Sequence, residues 1–266
     1  MPVTVHAELR DVSYEQASRV AYEVMHCIFS IHNELGRFFD EAIYRDEVAR
    51  RMTEVRAEVL IEVKFDDFRK AYFIDLLAEN AFLFELKAVD GLLDCHRSQL
   101  LNYLLLTGLR RGKLVNLRSE SVEHEFVNTT LTRHDRTAFA IRDAGWREPE
   151  TDIRGVKQLM VEMLRDWGVG LDLHLYEDAL THFLGGPERV LSAVNIVLNG
   201  HIVGRHKVRL SGPATAFKIT ALPNDGLARF EDHATRFLQH TSLTAIHWIN
   251  LTRENVNFRT IEKQRT

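Results

Sequence analysis

An acid, an apolar run and a second acid close to a lysine mark the stretch Asp75 to Lys87, DLLAENAFLFELK. On a β-strand alternate side chains share a face, so Glu85 and Lys87 point one way and Leu86 the other. Asp75 lies at the end of the preceding apolar run, AYFID. If that run pairs with the next as a hairpin through Ala78-Glu79-Asn80, Asp75 arrives beside Glu85. Two carboxylates and an amine then occupy one small volume. Carboxylate oxygens suit a hard cation such as Mg²⁺, and a nearby lysine can hold or deprotonate an attacking water. Taken alone, Glu-x-Lys is also the pattern of a surface hairpin with an ordinary ion pair, so the flanks must decide.

The flanks supply elements that can position these groups. Residues 13–35 carry Val20, Val24, Cys27, Ile28, Ile31 and Leu35 at helical spacing, and Gly36 ends the run. A second helix is expected from Asp40 to Met52, with Glu41 and Tyr44 on one face. Glu41 also reads as a solvated acid favoured at a helix start. Strands follow at Val59–Phe65, Ala71–Leu77 and Ala81–Val89, with Asp66-Asp67 as the first turn. A helix from Cys95 to Thr107 places Gln99 and Tyr103 together, and Gly108 stops it. Strands at Lys113–Leu117 and Val122–Val127 close the series. This order predicts a hairpin-rich sheet flanked by helices, an α/β or α+β sandwich, in which the Gln99 helix can act as the crossover between two parallel strands.

The chain has 266 residues and a formal net charge of -4, so a polyanion would have to meet a local basic patch. MPVTVHAELRD is not the basic-then-apolar pattern of a secretory signal, and no apolar stretch is long enough to span a bilayer. Cys27 and Cys95 cannot by themselves ligate a cluster or a structural zinc, and as small buried residues they point to the cytoplasm. The histidines form no metal-spaced cluster; His96 lies three residues before Gln99.

Gln99-Leu100-Leu101-Asn102-Tyr103 is a Q-x-x-x-Y that follows Asp75 and Glu85-x-Lys87. In order and spacing these residues resemble the PD-(D/E)XK nuclease superfamily, RecB-like branch. LGRFFDEAIY, Leu35 to Tyr44, resembles the GxxExxY family within it: Glu41 and Tyr44 match the named Glu and Tyr, while Phe38 stands where the named Gly should be. The resemblance covers about residues 17–127. It implies a restriction-endonuclease-like fold and a metal-dependent nuclease hydrolysing phosphodiester bonds of DNA or RNA. Asp75 and Glu85, with Glu41 as a third acid, would hold Mg²⁺ or Mn²⁺. Lys87 would position the water, Gln99 would orient it or a phosphate, and Tyr103 would sit beside Gln99. Arg110, Arg111 and Lys113 form a candidate patch for the nucleic-acid backbone, or a solvated helix end. The competing readings are a non-catalytic nucleic-acid-binding or assembly protein on the same fold, and a small-molecule phosphodiesterase.

After a polar stretch, residues 134–154, read as a linker with Pro149, the chain repeats itself. Trp167 to Tyr176 lies over Leu35 to Tyr44, matching Gly36 with Gly168 and Tyr44 with Tyr176. Ala216 to Ala221 lies over Leu83 to Ala88, the helix 230–241 over the Gln99 helix, and Ile246 to Leu251 over the strand ending in Asn116-Leu117. A tandem duplication is expected: a nuclease-like domain at 1–133 and a degenerate copy at 155–266. In the copy, Glu41 becomes Leu173, Glu85 becomes Lys218, Lys87 becomes Thr220, Gln99 becomes His233, and Asp75 falls near Val208 or Arg209. Lys207 and Arg209, with Arg205, His206 and Lys218, then suggest either a surface for nucleic-acid phosphate or half of an internal pseudo-dimer, with a homo-oligomer left open.

Overall fold

The computed structural model describes residues 3–148 and 154–264. The chain divides into two units, Met1–Arg133 and His134–Thr266. Each contains a six-stranded mixed sheet flanked by helices, an α/β architecture consistent with a PD-(D/E)XK fold. Among the described residues no helix is long and apolar enough to cross a membrane.

The first unit opens with β1 (Val3–Val5), a short strand that the sequence reading missed, paired antiparallel along Ile61–Val63. Helix α1 (Tyr14–Leu35) starts at a capping box in which Ser13 and Gln16 exchange hydrogen bonds. Its stripe of Ala17, Val20, Val24, Ile28 and Ile31 is buried and forms much of the core. Gly36 ends it at φ +76, where a side chain would be strained. Helix α2 (Glu41–Arg51) buries Tyr44 and Val48, one turn apart, into the same core.

Strands β2 (Val55–Phe65), β3 (Phe68–Ala78) and β4 (Phe82–Lys87) form an antiparallel meander. The β3–β4 turn sets Glu79 and Asn80 at φ +46 and +58, and the Ala81 amide donates to the Ala78 carbonyl at 3.0 Å. Two consecutive positive φ angles match the right-handed twist of the strands they join. Helix α3 (Asp94–Thr107) crosses to β5 (Arg111–Asn116), which runs parallel to β4, and β6 (Glu123–Asn128) forms the far edge. The sheet order is β1-β2-β3-β4-β5-β6. The expected elements are present, with ends shifted by a few residues.

Helix α4 (Arg133–Thr137) and β7 (Ala140–Gly145) correct the linker reading of 134–154. β7 runs parallel to β12 at the sheet edge, and Trp146 stacks against His247 at 4.4 Å. The strand is exposed along its whole length and paired on one side only, so its sequence AIRDAG lacks the apolar alternation that announces a strand. Pro149, one of the signals for a linker, lies outside the described residues.

Three helices follow: α5 (Val156–Trp167), α6 (Leu173–Phe183) and the single turn α7 (Pro187–Val190). Then come β8 (Leu191–Leu198), β9 (His201–Gly212), β10 (Thr215–Thr220), α8 (Leu227–Gln239), β11 (Ala245–Leu251) and β12 (Asn255–Glu262). The sheet order is β7-β12-β11-β10-β9-β8, with β10 parallel to β11 and the remaining pairs from β8 to β12 antiparallel. From α1 through β6 and from α5 through β12 the order is thus the same, apart from the extra turn α7: helices, three strands, crossover helix, two strands.

Two details recur at matched positions. The Tyr44 hydroxyl donates to the Gly36 carbonyl at 2.6 Å, and Tyr176 makes the same bond to Gly168, itself at φ +81. Asn116, opposite Lys87 in the parallel ladder, accepts from the Val89 amide at 3.1 Å. Asn250, opposite Thr220, accepts from the Leu222 amide at 2.7 Å. The same strand-end hydrogen bond of an asparagine is therefore present in both units.

Candidate active site

The β3–β4 ladder ends at Leu76 opposite Phe84. One step further Asp75 faces Glu85, and the backbones no longer pair. Instead Asp75 Oδ2 accepts from the Leu86 amide at 2.8 Å, so a side chain takes over from the ladder. Glu85 and Lys87 flank that amide. Lys87 Nζ donates to Glu85 Oε1 at 2.7 Å and stands 3.9 Å from Glu41 Oε2, which reaches in from the first turn of α2. Asp75, Glu85, Lys87 and Glu41 are thus brought together by three elements.

The electrostatics of this group are unusual. Glu85 is 1% exposed, and its second oxygen, Oε2, is buried without a hydrogen-bond partner. An unpaired buried oxygen on a charged group is expensive. Burial, reinforced by the neighbouring Asp75, pushes the Glu85 carboxyl up to about 8. Burial also raises Asp75, against the opposing pull of the Leu86 amide and Lys87. For Lys87 burial works against the charged form, but Glu85, Glu41 and Asp75 together outweigh it and hold the ammonium above its usual range. With every group ionised, three acids and one amine leave two negative charges in excess, which is the charge of one divalent cation.

The donor set fits such a cation: all oxygen, two acids largely buried, and one oxygen with nothing to bind it. Among the described residues, however, no three His, Cys, Asp or Glu side chains stand as a preformed cage. Glu41 is the outlying member, its side chain 43% exposed.

The neighbouring strand β2 shows a feature the sequence did not signal. In the β2–β3 register the residue opposite Asp75 is Glu58, which sits at φ +51 and is skipped by the ladder. A bulky residue there is an outlier of the kind that collects around functional sites. Glu58 pairs with Arg45 at 2.8 Å, and Arg45, one turn beyond Glu41 on α2, also holds Asp46. Its position four residues after Glu41 was the one clue available in the sequence.

Gln99 and Tyr103 form a separate pair on α3. Gln99 Nε2 donates to the Tyr103 hydroxyl at 3.0 Å, and the Tyr103 ring meets Tyr72 of β3 edge-on. His96 accepts from the Leu93 amide at the start of α3, the part of a helix cap.

The expected basic residues separate. Arg110 is exposed. Arg111 lies over the Tyr14 ring at 5.4 Å. Lys113 is a correction: it is buried on the inner strand β5, over the Phe126 ring at 4.3 Å, and burial lowers its pKa. Lys207 is exposed on β9. Arg209 is a second correction. It is tied to Glu177 at 3.1 Å and to Asp178 at 3.6 Å on α6, and Lys218 reaches the same Glu177 at 3.3 Å. These cations neutralise a buried acid of their own unit.

Two carboxylates and a lysine thus meet at a splayed strand pair, on a mixed sheet with one parallel crossover. A family model described as the PD-(D/E)XK nuclease superfamily matches residues 18–128, a span that holds Glu41, Asp75, Glu85, Lys87, Gln99 and Tyr103. That superfamily generally hydrolyses phosphodiester bonds. No match to the chain was found among curated proteins. A solved structure described as "Crystal structure of SSO0001" is similar at 19% identity, with a TM-score of 0.29. The likeness covers 45% of this chain and 61% of that one.

Proposed function

We propose that the first unit is a nuclease that requires a divalent cation, Mg²⁺ or Mn²⁺, and that the second is a catalytically empty duplicate of it. The observation that carries this reading is Glu85: a buried acid with an unpartnered oxygen, beside Asp75 and Lys87. Asp75 and Glu85 would hold the cation, with Glu41 closing on it. When bound, such a cation neutralises phosphate oxygens and acidifies the attacking water. Lys87 orients that water and places a fixed positive charge where negative charge builds on the phosphate. Gln99, steadied by Tyr103, contributes a further polar contact to water or phosphate. Water adds to phosphorus, the P–O ester bond breaks, and the proton passes to the departing oxygen.

DNA is the first substrate to try, with RNA as the comparison. Exposed Arg110 and Lys207 are the remaining candidates for contacts to its backbone. Cys27 is half-buried and Cys95 exposed, not the buried residues expected, and as free thiols they support a cytoplasmic setting. The duplicate is inferred from the shared element order and from the paired Tyr–Gly and Asn–amide bonds. Whether it packs as an internal pseudo-dimer is a separate question for scattering in solution.

The test is cleavage of single- and double-stranded DNA and RNA by the purified chain with Mg²⁺ or Mn²⁺. Cutting that disappears in Asp75→Ala and Lys87→Ala, both still folded, is the expected result. Cutting that persists in both variants sinks the reading. Folded protein that neither cuts nor takes up Mn²⁺ in calorimetry would favour a non-catalytic nucleic-acid-binding or assembly role.

A further inference from the structure

The loop that leads into α2 is unlike its counterpart in the second unit. Both loops are framed by the same bond, Tyr44 to Gly36 and Tyr176 to Gly168, so the fold requires the frame and not what lies inside it. In the second unit the loop is closed. Val169 and Leu171 are buried, Gly170 between them sits at φ +87, and Arg136 donates to the Trp167 carbonyl at 2.7 Å. A Cβ on Gly168 would collide with Arg136 at 2.7 Å. In the first unit a Cβ on Gly36 would meet nothing within 4 Å. Between Gly36 and Asp40, the residue that precedes α2, stand Arg37, Phe38 and Phe39. Phe38 is 81% exposed and Phe39 42% exposed, the latter leaning on Tyr44. The Arg37 guanidinium lies over the Phe38 ring at 5.4 Å.

A phenylalanine this exposed is worth nothing to the core. Phe38 lies three residues before Glu41, so its Cα is within about 11 Å of that of an acid of the candidate site. An aromatic face backed by a guanidinium is the surface on which nucleobases stack, and stacking tolerates any base because every base has a π-face.

We infer that Phe38, carried by Arg37 and Phe39, is a stacking platform for an unpaired base of the substrate, next to the phosphate held at Asp75 and Glu85. The substrate class is therefore single-stranded nucleic acid, or a duplex with a frayed or flipped base. This rests on the nuclease reading above for the position of the phosphate. Base pairing in an intact duplex hides the face that Phe38 would engage, so the unit should prefer strands whose bases are free.

The test measures fluorescence anisotropy of a labelled oligothymidylate with Lys87→Ala protein in Mn²⁺, alone and combined with changes at Phe38. Phe38→Ala should weaken binding about tenfold. Phe38→Trp should restore it and Phe38→Leu should not, because the ring matters rather than apolar bulk. A blunt duplex should show a much smaller loss. Equal affinity in Lys87→Ala and Lys87→Ala/Phe38→Ala overturns the inference, as does rescue by leucine or a failure of Lys87→Ala to bind the oligonucleotide at all. The two readings fail separately. If the unaltered protein cuts nucleic acid and Phe38→Ala binds as before, the platform falls alone. If the unaltered protein cuts nothing but Phe38→Ala still loses affinity, the nuclease reading falls and the platform stands.

Discussion

The two units use one element order for opposite electrostatic ends. In the first, the strand pair carries acids, Asp75 and Glu85, and the helix behind carries Arg45. In the second, the strand pair carries cations, Arg209 and Lys218, and the helix carries the acid, Glu177. Glu177 stands where Arg45 stands, one residue past the matched tyrosine. The difference lies in what is left over. In the second unit Arg209 and Lys218 both pair with Glu177, and Arg209 also with Asp178, although the buried Arg209 Nε has no partner. In the first, the acids outnumber their local partner Lys87, and one buried oxygen has none. The unit that keeps the charge excess holds it at a cost to its own stability.

The positions around the site tell the same story. Thr220, opposite Asn250 as Lys87 is opposite Asn116, takes a hydrogen bond from Trp248 at 2.9 Å and meets the Asn250 side chain at 2.7 Å. Thr220 thus links Trp248 and Asn250 where the matched residue of the first unit is Lys87. The sequence left Asp75 matched to Val208 or Arg209. In the β9–β10 register Phe217 pairs with Arg209, so the residue facing Lys218 is Val208.

The largest effect that can break this comparison is on catalysis. Lys87→Ala should reduce cleavage by about 10²–10³-fold or more, the usual scale for losing a group that stabilises transition-state charge. Thr220→Val, the matched change in the second unit, should leave kcat/KM within about twofold while lowering thermal stability. Single-turnover assays beside a melting curve separate these. A comparable loss of activity from Thr220→Val would mean that the second unit is not empty.

Next in size is a sign reversal in stability. Glu177→Gln removes the charge on which Arg209 and Lys218 depend, and should destabilise the second unit by about 2 kcal/mol, a figure reduced because Lys218 is half exposed. Glu85→Gln should do the reverse in metal-free protein. The folded state raises this carboxyl to about 8, above its unfolded value, so the fold favours its neutral form. That contribution is fully present below the unfolded pKa and is lost as pH rises through about 8. Metal-free Glu85→Gln should therefore gain on the unaltered protein at alkaline pH and match it in acid. Denaturant melts at several pH values check both. A loss of stability from Glu85→Gln at alkaline pH would mean that its bond to Lys87 outweighs its burial.

Metal binding should follow the same titration with opposite effect. A divalent cation needs the carboxylate form, so the melting shift caused by Mn²⁺ should grow with pH and level off above about 8. The shift should vanish in Asp75→Ala. A Mn²⁺ shift that does not vary with pH would place the metal elsewhere.

How much of this was legible in the sequence differs by kind of contact. Asp75, Glu85 and Lys87 were readable because a short hairpin and strand alternation bring them together, and both are local rules. Glu41 was readable as a helix-start acid, and its approach to Lys87 follows from α2 packing on the sheet. What stayed hidden depends on distant partners. The fate of Arg209 depended on Glu177 from another element, and a basic run on a strand looks the same whether or not an acid waits behind it. Lys113 read as a surface cation because its burial depends on the Phe126 ring of the neighbouring strand β6, which covers it. β1 and β7 are edge strands paired on one side, too short or too polar to show a period. The turn of Glu58 to positive φ has no residue signature, since glutamate is not a residue that favours it.

The smallest expected effect concerns what the units share. Tyr44→Phe and Tyr176→Phe each delete the bond that ties the second helix of a unit to the glycine ending the first. A hydrogen bond of this kind contributes about 1 kcal/mol net, so each change should destabilise its own unit by about that amount. Hydrogen exchange resolved by peptide can read the two units separately. Two similar losses, each confined to the unit carrying the change, would mark the frame as common property of the fold. If Tyr44→Phe also lowered the affinity for oligothymidylate while Tyr176→Phe did not, the frame would be serving the exposed loop at Phe38 as well as the helix pair. That asymmetry would tie a contact the units hold in common to a loop in which they differ.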